Sequence, residues 1–252
     1  MQTSDMKLTE HLLEMRKRVI RIVVVLLVML AAGLSLASSA ISYLKNAPPA
    51  NSLSWHALSP WDGIRVYMQF SLLFALVVTL PFSLYQLWQF AKPGLTETER
   101  RVTLKFIPLS AALMVAGTSF AYFVVFRMSL LFLRRLNSSM ELEETYGIAQ
   151  YFSFMFNIVI PCALMFELPI VIAFLTALRL LTPTLLRKWR RYGYMLLVVL
   201  STLIAPPDLL SNLFILVPFL LLFEISILLS AAIHNRSSSR NTAWDADAAH
   251  SA

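Results

Sequence analysis

The chain of 252 residues is 58% hydrophobic and only 14% charged, with a mean hydropathy of +0.69; one soluble core of that length could not hide so much apolar side chain, so a soluble globular protein is excluded and the bilayer must act as solvent. Cys162 is the one cysteine, which excludes an intramolecular disulfide and a thiol-ligated metal cluster. The net charge of +7, from 21 Lys and Arg against 14 Asp and Glu, points to loops held against anionic lipid rather than to nucleic acid.

In chain order, residues 1–18 come first, with Leu8, Leu12, Met15 and Val19 in an apolar stripe at helical spacing, which predicts an amphipathic helix lying on the cytoplasmic interface. Residues 19–42 are long and apolar enough for a first span. A cleaved leader is the competing reading, since Arg16, Lys17 and Arg18 precede the run, but the run is too long for one and Glu10 and Glu14 are out of place in a basic leader. Further apolar stretches at 64–88, 106–133, 151–177, 194–205 and 209–233 bring the expected spans to six. The fifth has only 12 residues, about 18 Å as a helix, so Pro206, Pro207 and Asp208 must turn it into a tight hairpin with the sixth near or inside the far leaflet. Residues 234–252 are polar and rich in Ser and Ala, with too little apolar surface to pack, and are expected to be disordered.

Orientation follows from the basic residues. Fifteen lysines and arginines fall on the side of the N-terminus, the second and fourth loops and the tail, against Lys45, Arg65, Arg127, Arg134 and Arg135 on the other. Both termini are therefore expected in the cytoplasm. No internal repeat relates the halves of the chain, so an inverted-repeat transporter is not indicated.

Nothing in the sequence suggests catalysis or a cofactor: a Walker-type loop, HExxH and GxSxG are all absent, and His11, His56, His234 and His250 lie far apart outside the spans. The informative residues are carboxylates at or in the bilayer. Glu14 lies four residues before Arg18, so an intrahelical ion pair is its plain explanation. Glu99 follows Thr96 by three in a capping-box pattern after Pro93 and Gly94. Alternatively, Glu14 and Glu99 converge as an acidic pocket ringed by basic residues, one that would select guanidinium groups through two-bond forks. Glu167, in ALMFELPI, should face another helix or a water-filled cavity, with Pro169 (as Pro81 in the second span) allowing a kink. Asp208 is placed to cap the last helix. Glu224, in LLFEIS, has no evident role.

These residues resemble the TatC family, the multi-spanning receptor component of the twin-arginine protein translocase. The resemblance covers residues 8–233 and rests on LTEHLLEMRKR, LPFSLYQLWQFAKPGLTETERR, SFAYFVVF, FELP, APPD and LLFE, in that order. It implies a non-enzymatic receptor and scaffold of the bacterial cytoplasmic (inner) membrane. Such a receptor binds twin-arginine signal peptides of folded precursors for export driven by the proton-motive force. It further implies work with small single-span subunits of the TatA/TatB type and self-association. Glu14, Arg16, Phe90, Glu99 and Arg101 match signal-binding positions; Glu167 matches an intramembrane glutamate that meets a partner helix, and Tyr122 and Asp208 match other family positions. Two departures stand out: Ala205 where the family usually has Thr or Ser, and Arg127 where many members have proline. The alternative function is a proton-coupled small-solute transporter using Glu167 as proton carrier.

Overall fold

The computed structural model describes residues 2–95, 97–141, 145–178, 180–204 and 209–250, the side chains of 2–12, 52, 94, 98, 99, 209–211 and 234–250 apart. Helix α1 (Gln2–Asn46) runs 45 residues without interruption, since Gly33 is the first glycine and no proline precedes Pro48. The amphipathic N-terminal segment is thus continuous with the first apolar stretch. After the loop, β1 (Trp55–His56) leads to α2 (Asp62–Ala91), which carries Pro81 in its interior. Asp62 Oδ2 accepts the backbone N–H groups of Leu58 at 2.8 Å and Ser59 at 3.0 Å, folding the loop onto the helix start.

The third column is composite: α3 (Glu97–Leu104), α4 (Phe106–Phe120), a π-helical turn over Ala121–Phe126, and α5 (Arg127–Ser139). Next, β2 (Tyr146–Gly147) pairs in parallel with β1, Trp55 opposite Tyr146 and His56 opposite Gly147. The fourth column breaks at Glu167 into α6 (Ile148–Phe166) and α7 (Leu168–Ala177). Pro169 explains the break, because it has no N–H for the Met165 carbonyl, and the chain tightens there through Glu167 N–H donating to Leu164 O at 3.1 Å. Pro161 and Pro218 lie inside helices that continue past them.

Three helices complete the chain: α8 (Pro183–Lys188), α9 (Arg190–Ile204) and α10 (Leu209–His250). Thr182 Oγ1 caps α8 by accepting the Leu185 N–H at 3.4 Å. Residues 205–208, with the Pro206, Pro207 and Asp208 turn and Ala205, lie outside the described residues. The backbone of α10 stays helical past Ile233 into the polar tail, where extending an existing helix costs far less than starting one.

Among the described residues five helices are long and apolar enough to cross a membrane: Leu13–Asn46, Asp62–Ala91, Arg100–Ser139, Ile148–Ala177 and Asn212–Ile233. Helix α9, with 15 residues, reaches only about 22 Å. The fourth of the five is central, 56% of its apolar window being buried against 6% for the first. Phe152, Phe156, Ile158 and Cys162 of α6 are fully enclosed with Phe126, Ile215 and Phe219. Trp55 joins this core from the loop, its ring stacked on Phe152 at 5.7 Å and edge-on to Tyr151 at 5.1 Å. A smaller cluster of Leu84, Trp88, Ile170 and Phe174 fastens α2 to α7. Helices α1 and α2 approach backbone to backbone, for a Cβ at Gly33 would lie 2.8 Å from Ser71 Cα.

Candidate functional site

Glu14 and the last two turns of α2 meet through an arginine. Arg18 donates to Glu14 Oε1 from Nη2 at 2.5 Å and from Nε at 3.2 Å, the ion pair expected from four-residue spacing. The same guanidinium also crosses to α2, where Nη1 donates to Gln89 Oε1 at 2.8 Å and to Gln86 Oε1 at 3.5 Å. Gln89 in turn donates to the Tyr85 hydroxyl at 2.7 Å. Arg18 keeps 14% of its side-chain surface exposed and Glu14 43%, so the arginine is built into the junction while the carboxylate stays open to solvent. The four-residue spacing in the sequence points only to the local pair. The signal that could have found the bridge is the glutamine pair at 86 and 89, one helical turn apart on one face.

The third element of this end is α3. Trp88 Nε1 donates to the buried Thr103 Oγ1 at 3.0 Å, and Thr103 Oγ1 donates to Arg100 O at 3.3 Å, so α3 is pinned to the same stretch of α2 that holds the Arg18 bridge. Lys92 Nζ lies 5.7 Å from the centre of the Trp88 ring, within cation–π range. Phe90 is half-buried at the end of α2, and Arg16 and Arg101 are exposed. Glu99 belongs to α3, but its side chain, with Thr96 and the side chain of Glu10, lies outside the described residues. The structure therefore brings α1, α2 and α3 together at one end, with Glu14, Arg16, Phe90 and Arg101 all on them.

Glu167 is 6% exposed and turns into the bundle, where Ser110 Oγ of α4 donates to its Oε1 at 2.9 Å. Its carbonyl accepts the N–H groups of Ile170 at 3.1 Å and Val171 at 3.0 Å, starting α7. Tyr122 is elsewhere: it sits in the π-helical turn, stacked on Phe126 at 5.9 Å and edge-on to Phe123 at 5.0 Å. Twelve residues separate it from Ser110, about 18 Å along a helix, so the two polar positions of the bundle are distinct.

Glu224, which the sequence left without a role, has two partners on α9. Arg190 Nε donates to Oε1 at 2.7 Å, Arg190 Nη2 to Oε2, and the Tyr194 hydroxyl to Oε1. Arg190 and Tyr194 are four residues apart and share one helix face. The cluster is a two-bond guanidinium fork that holds α9 against α10. Elsewhere between helices, Thr176 Oγ1 and Ser230 Oγ lie 2.8 Å apart, and Ser153 Oγ donates to Gln69 Oε1 at 3.1 Å.

A family model described as Sec-independent protein translocase protein (TatC) matches residues 10–218. The Sec-independent protein translocase protein TatCy of Bacillus subtilis (strain 168) is 40% identical over 98% of this chain and 97% of its own length. TatC of Halalkalibacterium halodurans is 43% identical over 91% of each. A crystal structure of the twin arginine translocase receptor TatC in DDM superposes with a TM-score of 0.75 at 30% identity, covering 87% of this chain and 99% of that one.

Proposed function

The chain belongs to the TatC family, the receptor component of the twin-arginine translocase and not an enzyme, and from that premise we propose that the shared end of α1, α2 and α3 is where it reads the paired arginines of a signal peptide. The observation that carries this reading is the Arg18 bridge: Glu14 already takes two bonds from a guanidinium, yet keeps 43% of its side-chain surface open. A carboxylate in that setting can accept an incoming arginine by the same charge-assisted bonds. Glu99 on α3 supplies the second carboxylate, Phe90 an apolar wall for the flanking peptide, and the exposed Arg16 and Arg101 hold acidic groups nearby and repel further cations. Glu167, buried at the kink against Ser110, is the polar group that a helix of a small single-span subunit would meet on parting α4 from α6 and α7.

The same reading gives six crossings with both termini in the cytoplasm of a bacterial cell, α9 being the short fifth crossing and the Pro206, Pro207 and Asp208 segment external. The excess of basic residues in the N-terminal segment, the 89–105 region and 179–191 favours this orientation.

The test is a peptide titration against the full chain in nanodiscs. Lysine carries the charge of arginine without its planar fork, so an Arg-Arg peptide is expected to bind more tightly than a Lys-Lys peptide. Loss of one charge-assisted contact costs about 1.5 to 3 kcal/mol, so Glu99→Gln should weaken the Arg-Arg peptide by roughly one to two orders of magnitude and narrow its advantage. Glu14→Gln is expected to act in the same direction. Affinities unchanged in both variants would refute this site.

A further inference from the structure

Arg127, the departure in the third column, lies beside a cavity at the other end of the bundle. Residues 106–126 carry no charge and are bracketed by Lys105 and Arg127. These 21 residues rise about 31 Å as a helix, close to the hydrocarbon thickness of about 30 Å. Arg127 therefore sits at the hydrocarbon boundary. Arg134, two turns further along α5 on the same face, stands about 10 Å beyond it, in the headgroup layer. Between them is a cavity of about 240 Å³ lined by Pro49, Arg127, Leu130, Leu131 and Arg134. None of the described residues lining it is acidic.

The walls divide by chemistry. Leu130 is 3% exposed and closes the inner side, whereas Leu131 is 50% exposed and forms the outer side. Arg127 Nη2 donates to Pro48 O at 3.3 Å. That bond orients the guanidinium without exhausting its five N–H donors.

We propose that this cavity binds the phosphodiester of a membrane phospholipid, Arg127 and Arg134 gripping the phosphate while the acyl chains run back past Arg127 along the exposed Phe123 and Val124. Depth decides for a lipid over a free anion: the site opens where bilayer phosphates already are, and its outer wall is apolar. A guanidinium fork matches phosphate oxygens as it matches a carboxylate. The placement holds whichever leaflet that end faces, and it does not depend on the signal-binding reading.

Native mass spectrometry of the full chain, purified in a non-ionic detergent and titrated with dioleoyl phosphatidylglycerol, tests it. Wild type is expected to retain one lipid preferentially, and the Arg127→Gln/Arg134→Gln double variant to need about tenfold more for equal occupancy. Dioleoylglycerol, which lacks the phosphate, should bind wild type no better than the phospholipid binds the double variant. Arg135→Gln, exposed on the same helix but outside the cavity, should leave retention unchanged. Circular dichroism checks that the double variant is folded; if it is not, Arg127→Gln alone, at an exposed position, should still lower occupancy several-fold. Equal retention by wild type and the folded Arg127→Gln variant would overturn the proposal. So would an equal loss in Arg135→Gln, or inorganic phosphate displacing the lipid at matched concentration.

Discussion

Glu167 and Ser110 form a buried pair in which each group leaves the other exposed to penalty if removed. An amide at 167 can accept the Ser110 hydroxyl as the carboxyl does, so Glu167→Gln should fold normally and keep the proposed single-span partner. Glu167→Ala removes the acceptor and strands the Ser110 hydroxyl, a cost of about 1 to 3 kcal/mol for an unsatisfied buried group. It also deletes a cross-helix bond worth about 1 to 2 kcal/mol in a membrane. Co-purification of the partner with each variant reads the difference; undiminished association in the alanine variant would confine Glu167 to holding α4 against α6 and α7. That a carboxylate in ALMFELPI must turn inward was legible in the sequence, because lipid is no place for it. Its partner was not, because Ser110 is 57 residues away and serines are common in spans. The same applies to Glu224, whose partners Arg190 and Tyr194 look from sequence like an ordinary basic loop end and an interfacial aromatic.

Helix by helix, the apolar runs were readable and their ends less so. Residues 1–18 carry a true amphipathic stripe, but periodicity cannot say whether two helical segments are one, and with no glycine or proline before Gly33 the chain simply continues. Close packing supplies a prediction at this scale. A side chain at Gly33 would press on backbone, 2.8 Å from Ser71 Cα, and backbone cannot swing aside. Gly33→Leu is expected to destabilise the α1–α2 pair by about 1 to 3 kcal/mol. At Gly63, by contrast, a Cβ meets nothing within 4 Å, and Gly63→Ala in the first turn of α2 should be neutral or stabilising by up to about 1 kcal/mol. Thermal unfolding of both variants in one detergent compares them, and an equal Tm for the two would contradict the close approach.

For the molecule as a whole, the charge asymmetry makes orientation testable. Reporter fusions at Asn51 and Ser138 should report outside, and fusions after Lys92, Arg190 and Ser238 inside; an inside signal at Ser138 would remove the six-crossing arrangement. Composition and loop charge carry such large-scale features because the bilayer imposes them on every residue of a span. The candidate site is finer: Glu14 and the motif around Glu99 were visible, while the junction through Arg18, Gln86 and Gln89 emerges only when α1 and α2 lie side by side. One pairing also constrains the order of assembly. Strands β1 and β2 are parallel, and parallel neighbours require a crossover, which here consists of α2 outward and the α3–α5 column back. A growing chain cannot complete that ladder, nor seat Trp55 on Tyr151 and Phe152, until both intervening columns are in the bilayer. The first loop thus waits, unpaired, through the synthesis of two spans, and its closure precedes the arrival of α7 beside α2 and of α10, whose Ile215 and Phe219 complete the core around Phe126.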